Sequence, residues 1–164
     1  MAKIKNPLPM TVSWNGANAR EFYIDSLIKE KSWTVGCEVG VRYGRTLFHL
    51  LDNNPTLKMY AVDKDVSQFY DNNIKEKYKD RLIPIEGNSS FVTNKIPKVD
   101  LVFIDADHGY EGCSKDIKQY MSKVNPGGIF SGHDIDYPGV NKAVNEALDR
   151  YEVGPNNVWY KVIF

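Results

Sequence analysis

Cysteine is scarce in this chain: Cys37 and Cys113 are the only two in 164 residues, and no C-x-x-C pair exists. A reduced, cytoplasmic protein is therefore expected, with Cys37 a small buried thiol inside a core strand. No apolar run approaches the ~20 residues of a membrane-crossing helix. The opening residues 1–7 lack the apolar stretch of a secretory signal. Neither sign of charge prevails: Lys plus Arg and Asp plus Glu each count 21, for a net charge of zero. That balance argues against nucleic acid or an anionic membrane as a partner. Internal repeats, low-complexity tracts and linkers are missing as well. One domain over residues 1–164 is expected, long enough to bury about 70% of its unfolded surface.

What is present is an alternation of short apolar runs with helical patterns. Residues 1–16 form an irregular leader with Pro7, Pro9 and Gly16, and its Trp14 is a candidate pocket cover. Phe22, Ile24, Leu27 and Ile28 give residues 17–31 the apolar face of a helix. Strands are predicted at 34–40, 57–62, 81–85, 100–104, 129–131 and 158–164. Helices are predicted at 44–53, 66–79, 111–124 and 140–151, and Asn125-Pro126-Gly127-Gly128 reads as a turn. Such an order predicts an α/β fold: a Rossmann-like, doubly wound, mostly parallel sheet with helices on both faces. Polar residues collect at the strand ends: Glu38, Asp63, Asn88 with Ser89, Asp105, and His133 with Asp134. Ligands of open α/β sheets bind outside those ends.

The first strand end is the most specific. Glu38, Gly40 and Gly44 stand as E-x-G-x-x-x-G, with a helical pattern from Thr46. A dinucleotide turn needs G-x-G-x-x-G to bring amides to a pyrophosphate, so NAD is disfavoured. An acidic residue beside the loop repels phosphate but suits an ammonium and a sulfonium, which points to S-adenosylmethionine. Asp63 lies 23 residues after Gly40 and can accept both ribose hydroxyls. Asn88 and Ser89 are placed to border an adenine edge.

Taken in order, E-V-G-V-R-Y-G-R-T, A-V-D, E-G-N-S-S and F-I-D-A-D-H resemble the class I S-adenosylmethionine-dependent methyltransferases. The resemblance covers residues 34 to about 150. It implies that Gly40 and Gly44 admit the methionine portion close to the backbone, that Glu38 orients the loop, and that Asp63 holds the ribose.

A second constellation carries the chemistry. Asp105, His133 and Asp134 end neighbouring strands and suit a divalent cation such as Mg²⁺ or Mn²⁺, although the histidine also admits Fe²⁺ or Zn²⁺. A cation there would bind substrate hydroxyls and lower their pKa. His108, three residues past Asp105, is the candidate base. The layout is similar to that of metal-dependent O-methyltransferases, and a histidine at position 108 is closer to the macrolide-sugar members than to the catechol type, where a lysine stands. His133 matches neither pattern. The expected reaction is O-methylation of a hydroxyl on a sugar-like or catechol-like small molecule. Two other readings stay open. One is an iron oxygenase built on Asp105, His108 and His133. The other is a non-catalytic cofactor-binding module completed by a homo-oligomer mate or a large partner, since little chain follows the last helix for a full terminal hairpin.

Overall fold

The computed structural model describes residues 19–164, so the leader and Trp14 lie outside the described residues. Alternating burial makes the strands. In β4 (Val99–Ile104), Leu101 and Phe103 join the core on one face of the sheet, while Val102 and Ile104 join the core on the other. β1 (Val35–Val39), β2 (Lys58–Asp63), β3 (Leu82–Glu86) and β5 (Val124–Gly132) run parallel within the same sheet. β7 (Trp159–Val162) returns antiparallel to β5, and β6 (Glu152–Val153) pairs antiparallel with β7. The strand order is β3-β2-β1-β4-β5-β7-β6, the expected doubly wound sheet.

Helices α1 (Ala19–Lys31), α2 (Arg45–Asn53) and α3 (Asn72–Tyr78) cover one face. On the other lie α5 (Tyr110–Tyr120), α6 (Pro138–Ala147) and the single turn α4 (Ser89–Val92). Tyr23, Ile24, Leu27 and Ile28 form the buried stripe of α1. Phe22, expected in that stripe, is instead 51% exposed and sets its ring edge-on to His49 of α2. None of these helices is long and apolar enough to cross a membrane. Both thiols are buried; burial, with Asp116 next, pushes Cys113 up to about 12, and burial with Glu38 beside it raises Cys37 too.

Two local expectations change. The predicted helix 66–79 is broken: a 3-10 turn at Val66–Gln68, capped by Asp65, ends before α3, which Asp71 opens by accepting from the Ile74 amide. Two side-chain caps in one stretch compete with a continuous helix. The turn at 125–128 lies within β5, where Gly127 takes φ +83° and the register against β4 shifts between Val99 and Leu101. The terminal hairpin is short, as expected, with two residues in β6 against four in β7.

From β1 the chain winds outward to β2 and β3, then crosses back to β4 and β5. The winding reverses between β1 and β4, and a crevice opens there beyond the strand ends.

Candidate active site

The glycine loop after β1 is shaped by its backbone. Gly40 takes φ +86°, and a Cβ on it would stand 2.4 Å from the Asp105 carbonyl oxygen. Only glycine lets the end of β1 pass so near the end of β4. Gly44, at φ +81°, is the N-cap of α2 and offers no side chain for that role. Asp63, at the end of β2, turns Oδ2 into the loop and accepts from the Val41 and Arg42 amides, each at 2.8 Å. Its Oδ1 accepts from the Asp65 amide at 3.2 Å.

Beneath the loop Glu38 is 2% exposed, and its Oε2 has no hydrogen-bond partner among the described residues. Burial pushes its carboxyl well above the usual range; Asp105 pushes the same way, and Arg20 opposes them. Thr46, also buried, leaves its Oγ1 unpartnered there. A cationic ligand group would meet both needs.

At the β4 and β5 ends, side chains hold one another. His108 Nε2 lies 2.6 Å from Asp134 Oδ2, and His133 Nδ1 lies 2.9 Å from Asp134 Oδ1 and 3.6 Å from Asp105 Oδ1. Arg20, from α1, donates to Asp105 Oδ2 at 3.0 Å and to Glu21 Oε1 at 3.0 Å. Its Nη1 is also 3.3 Å from His133 Nδ1. Burial alone would lower the His133 pKa, but the Asp105 hydrogen bond and charge outweigh it, and the net direction is upward. Asp134 sits at φ +60°, a left-handed conformation rarely adopted by a side-chain-bearing residue, which presents its carboxylate to both histidines. The His108 ring stacks on Tyr137, centroids 4.7 Å apart.

One cleft of about 880 Å³ joins the two groups. Every predicted site residue lines it except Gly44, whose part is to start α2. Asn88 and Ser89 stand at its far end, where Asn88 Oδ1 accepts from the Ser90 amide at 3.0 Å. Asp105, His108 and Asp134 each offer one ligand atom, all within 4.8 Å of one another. His133, expected as the imidazole ligand, is outside that trio and braces its two carboxylates instead. The set Asp105, His108 and His133 is therefore not the one brought together. Tyr110, expected beneath the β4 loop, bonds Glu146 of α6 with its hydroxyl at 2.5 Å and does not line the cleft.

Sequence reasoning missed Arg20 and Asp116, both of which line the cleft. Neither belongs to a spacing motif. Their one sequence signal is a charge in register with an apolar helix face: Arg20 stands three and four residues before Tyr23 and Ile24, and Asp116 three after Cys113 and four before Tyr120.

The methyltransferase-domain family matches residues 37–135, more than half of the chain. No curated protein matches by sequence. Solved structures share the fold. A Staphylococcus aureus protein assigned as a caffeoyl-CoA O-methyltransferase is 13% identical, with a TM-score of 0.74 over 89% of this chain and 83% of that one. CalS11, a TDP-rhamnose 3'-O-methyltransferase of calicheamicin biosynthesis, is 20% identical, with a TM-score of 0.67 over 85% and 76%. MycE of the mycinamycin pathway, solved with Mg, S-adenosylhomocysteine and mycinamycin VI, is 15% identical, with a TM-score of 0.63 over 87% and 52%. The chain belongs to the methyltransferase-domain family, and its sheet is that of the class I S-adenosylmethionine-dependent methyltransferases.

Proposed function

We propose that this protein moves the methyl group of S-adenosylmethionine to a hydroxyl oxygen of a small sugar-like or catechol-like molecule, assisted by a divalent cation, Mg²⁺ or Mn²⁺. The observation that carries the reading is one cleft holding two complementary acidic sites. Glu38 is buried without a partner for Oε2 at one end, and the Asp105, His108 and Asp134 trio stands at the other. The names of similar structures support oxygen as acceptor, and the MycE complex supports Mg²⁺ beside the cofactor.

The residues fit both groups. Gly40 keeps the loop backbone bare at the end of β4, Glu38 offers charge to an ammonium, and Asp63, with three lone pairs spent on the Val41, Arg42 and Asp65 amides, keeps one on Oδ1 for a ribose hydroxyl. Two carboxylates and one imidazole suit Mn²⁺, and Mg²⁺ if water completes its shell. When bound, the cation polarises the acceptor hydroxyl and lowers its pKa. Arg20 holds one oxygen of Asp105 and leaves the other facing the trio. His133 keeps Asp105 and Asp134 from repelling one another apart. The acceptor hydroxyl gives up its proton to solvent in the cleft as its oxygen bonds to the methyl carbon and the carbon–sulfur bond breaks, and sulfur leaves neutral as S-adenosylhomocysteine. Alignment of the two reactants supplies most of the rate.

A second reading rests on the 2.6 Å contact between His108 and Asp134. Without a cation, Asp134 would accept from Nε2–H and leave Nδ1 of His108 as the base, an oriented carboxylate–histidine pair.

Calorimetric titration of EDTA-treated protein with S-adenosylhomocysteine, NAD and Mn²⁺ tests both. The first reading expects micromolar S-adenosylhomocysteine binding, none for NAD, and a Mn²⁺ signal lost in Asp134→Ala. Turnover on vicinal diols that is indifferent to EDTA would favour the second. No binding of S-adenosylhomocysteine would overturn both.

A further inference from the structure

Asp116 is a buried carboxylate that nothing above uses. It lies on α5, 1% exposed, with its accessible edge on the cleft. Ser89 Oγ donates to its Oδ1 at 2.5 Å, and no other described residue bonds this carboxylate. Ser89 is itself fixed, because Tyr120 donates its hydroxyl to the Ser89 carbonyl at 2.8 Å. Burial pushes its carboxyl up, the Ser89 hydrogen bond opposes that, and the charges of Asp107 and of Lys64, also on the cleft, act against each other.

This end of the cleft lies beyond Asp63, on the β3 side, where a base attached to a ribose held at Asp63 would extend. The groups there are not equivalent. Asn88 engages its side-chain oxygen with the Ser90 amide, and Ser89 has its hydroxyl hydrogen on Asp116. Asp107 is exposed and takes the Gly109 amide at 2.7 Å. Asp116 is therefore the sealed acceptor with an oxygen to spare.

We propose that Asp116 reads the base of the cofactor: the oxygen left over from the Ser89 hydrogen bond accepts from the exocyclic 6-amine of adenine. This rests on the S-adenosylmethionine reading and adds the residue that sets base specificity. A carboxylate there bonds an amine donor and repels a 6-oxo group. The inosine counterpart, S-inosylhomocysteine, leaves that carboxylate facing oxygen lone pairs. Sites built around a substrate N–H reject analogues that lack it far more strongly than apolar pockets reject a missing methylene.

The test is a pair of binding titrations, S-adenosylhomocysteine against S-inosylhomocysteine, on wild type and Asp116→Asn. Asparagine keeps the shape and can still accept from Ser89, but turns a donor toward the base. Wild type is expected to prefer the adenine ligand by at least about tenfold. In D116N that ratio should collapse to near unity or invert. Equal affinity of wild type for the two ligands would overturn the proposal without any variant. An unchanged ratio in folded D116N, or equal weakening of both ligands, would overturn it too and leave cofactor binding intact. Wild type binding neither ligand would instead bring down the cofactor reading beneath it.

Discussion

Both ends of the cleft are acidic, yet they are held in opposite ways. The cofactor end is held by main chain: glycine conformations, amides on Asp63, and a strand that carries Glu38 into the core. The other end is held by side chains from α1 and the loops after β4 and β5, in which Arg20, Asp105, His133, Asp134 and His108 each touch the next. The first kind of site fails when the backbone is forced. The second keeps its backbone when one member is removed, because neighbours can re-pair, and loses chemistry rather than fold.

The harshest way to break this contrast is Gly40→Ala. With Asp105 oxygen 2.4 Å from the new methyl and φ at +86°, a loss of about 3 kcal/mol is expected. A melting curve should fall accordingly, and S-adenosylhomocysteine should no longer bind. Unchanged melting and binding would mean that the loop is not backbone-bound.

Asp134→Ala comes next. It should lower methyl transfer by about 100-fold and abolish Mn²⁺ binding, while the affinity for S-adenosylhomocysteine stays within about twofold. Loss of cofactor affinity in this variant would show that the two ends are not separate.

Glu38→Gln sharpens the comparison through pH. The folded carboxyl is raised, mainly by burial, so the folded state binds the proton more tightly than the unfolded chain. Stability of the ligand-free protein is then highest below the ordinary glutamate range and falls as pH climbs from there through the raised value. The glutamine variant should gain about 1–2 kcal/mol near neutral pH and nothing near pH 4, read as melting temperature against pH, while binding S-adenosylhomocysteine more weakly. A pH-independent gain would remove the charge from the explanation.

The smallest effect is expected at His133→Asn. An amide can still brace the carboxylates, so Mn²⁺ affinity should drop by only about tenfold, measured by paramagnetic titration.

The same contrast explains what could be read from the residues alone. Gly40, Asp63 and the strand ends were legible because each is demanded by local backbone geometry, which leaves a spacing in the sequence. So was the convergence of Asp105 with His133 and Asp134, since β4 and β5 are neighbours in the sheet. Which histidine sets its ring nitrogen within 4.8 Å of both the Asp105 and Asp134 carboxylates as one trio was not legible. That choice depends on the φ of Asp134 and on Arg20 reaching across from α1, contacts between residues 85 and 113 positions apart. Asp116 was invisible for a similar reason, since it meets Ser89 across 27 positions and only Ser89 stands in a motif. The 66–79 segment misled because its helical period hid the capping carboxylates of Asp65 and Asp71.

The terminal hairpin bears on how the protein is made. Trp159 of β7 donates its ring N–H to the His133 carbonyl at 3.2 Å, and its ring occupies the space a Cβ on Gly132 would need, 2.3 Å away. The end of β5 is thus braced by residues synthesised after it. A nascent chain halted after α6 would already own its glycine loop and Asp63. Its Asp134 and His133 would still await their support, so the β5 side of the cleft is completed only when the last residues of the sheet arrive.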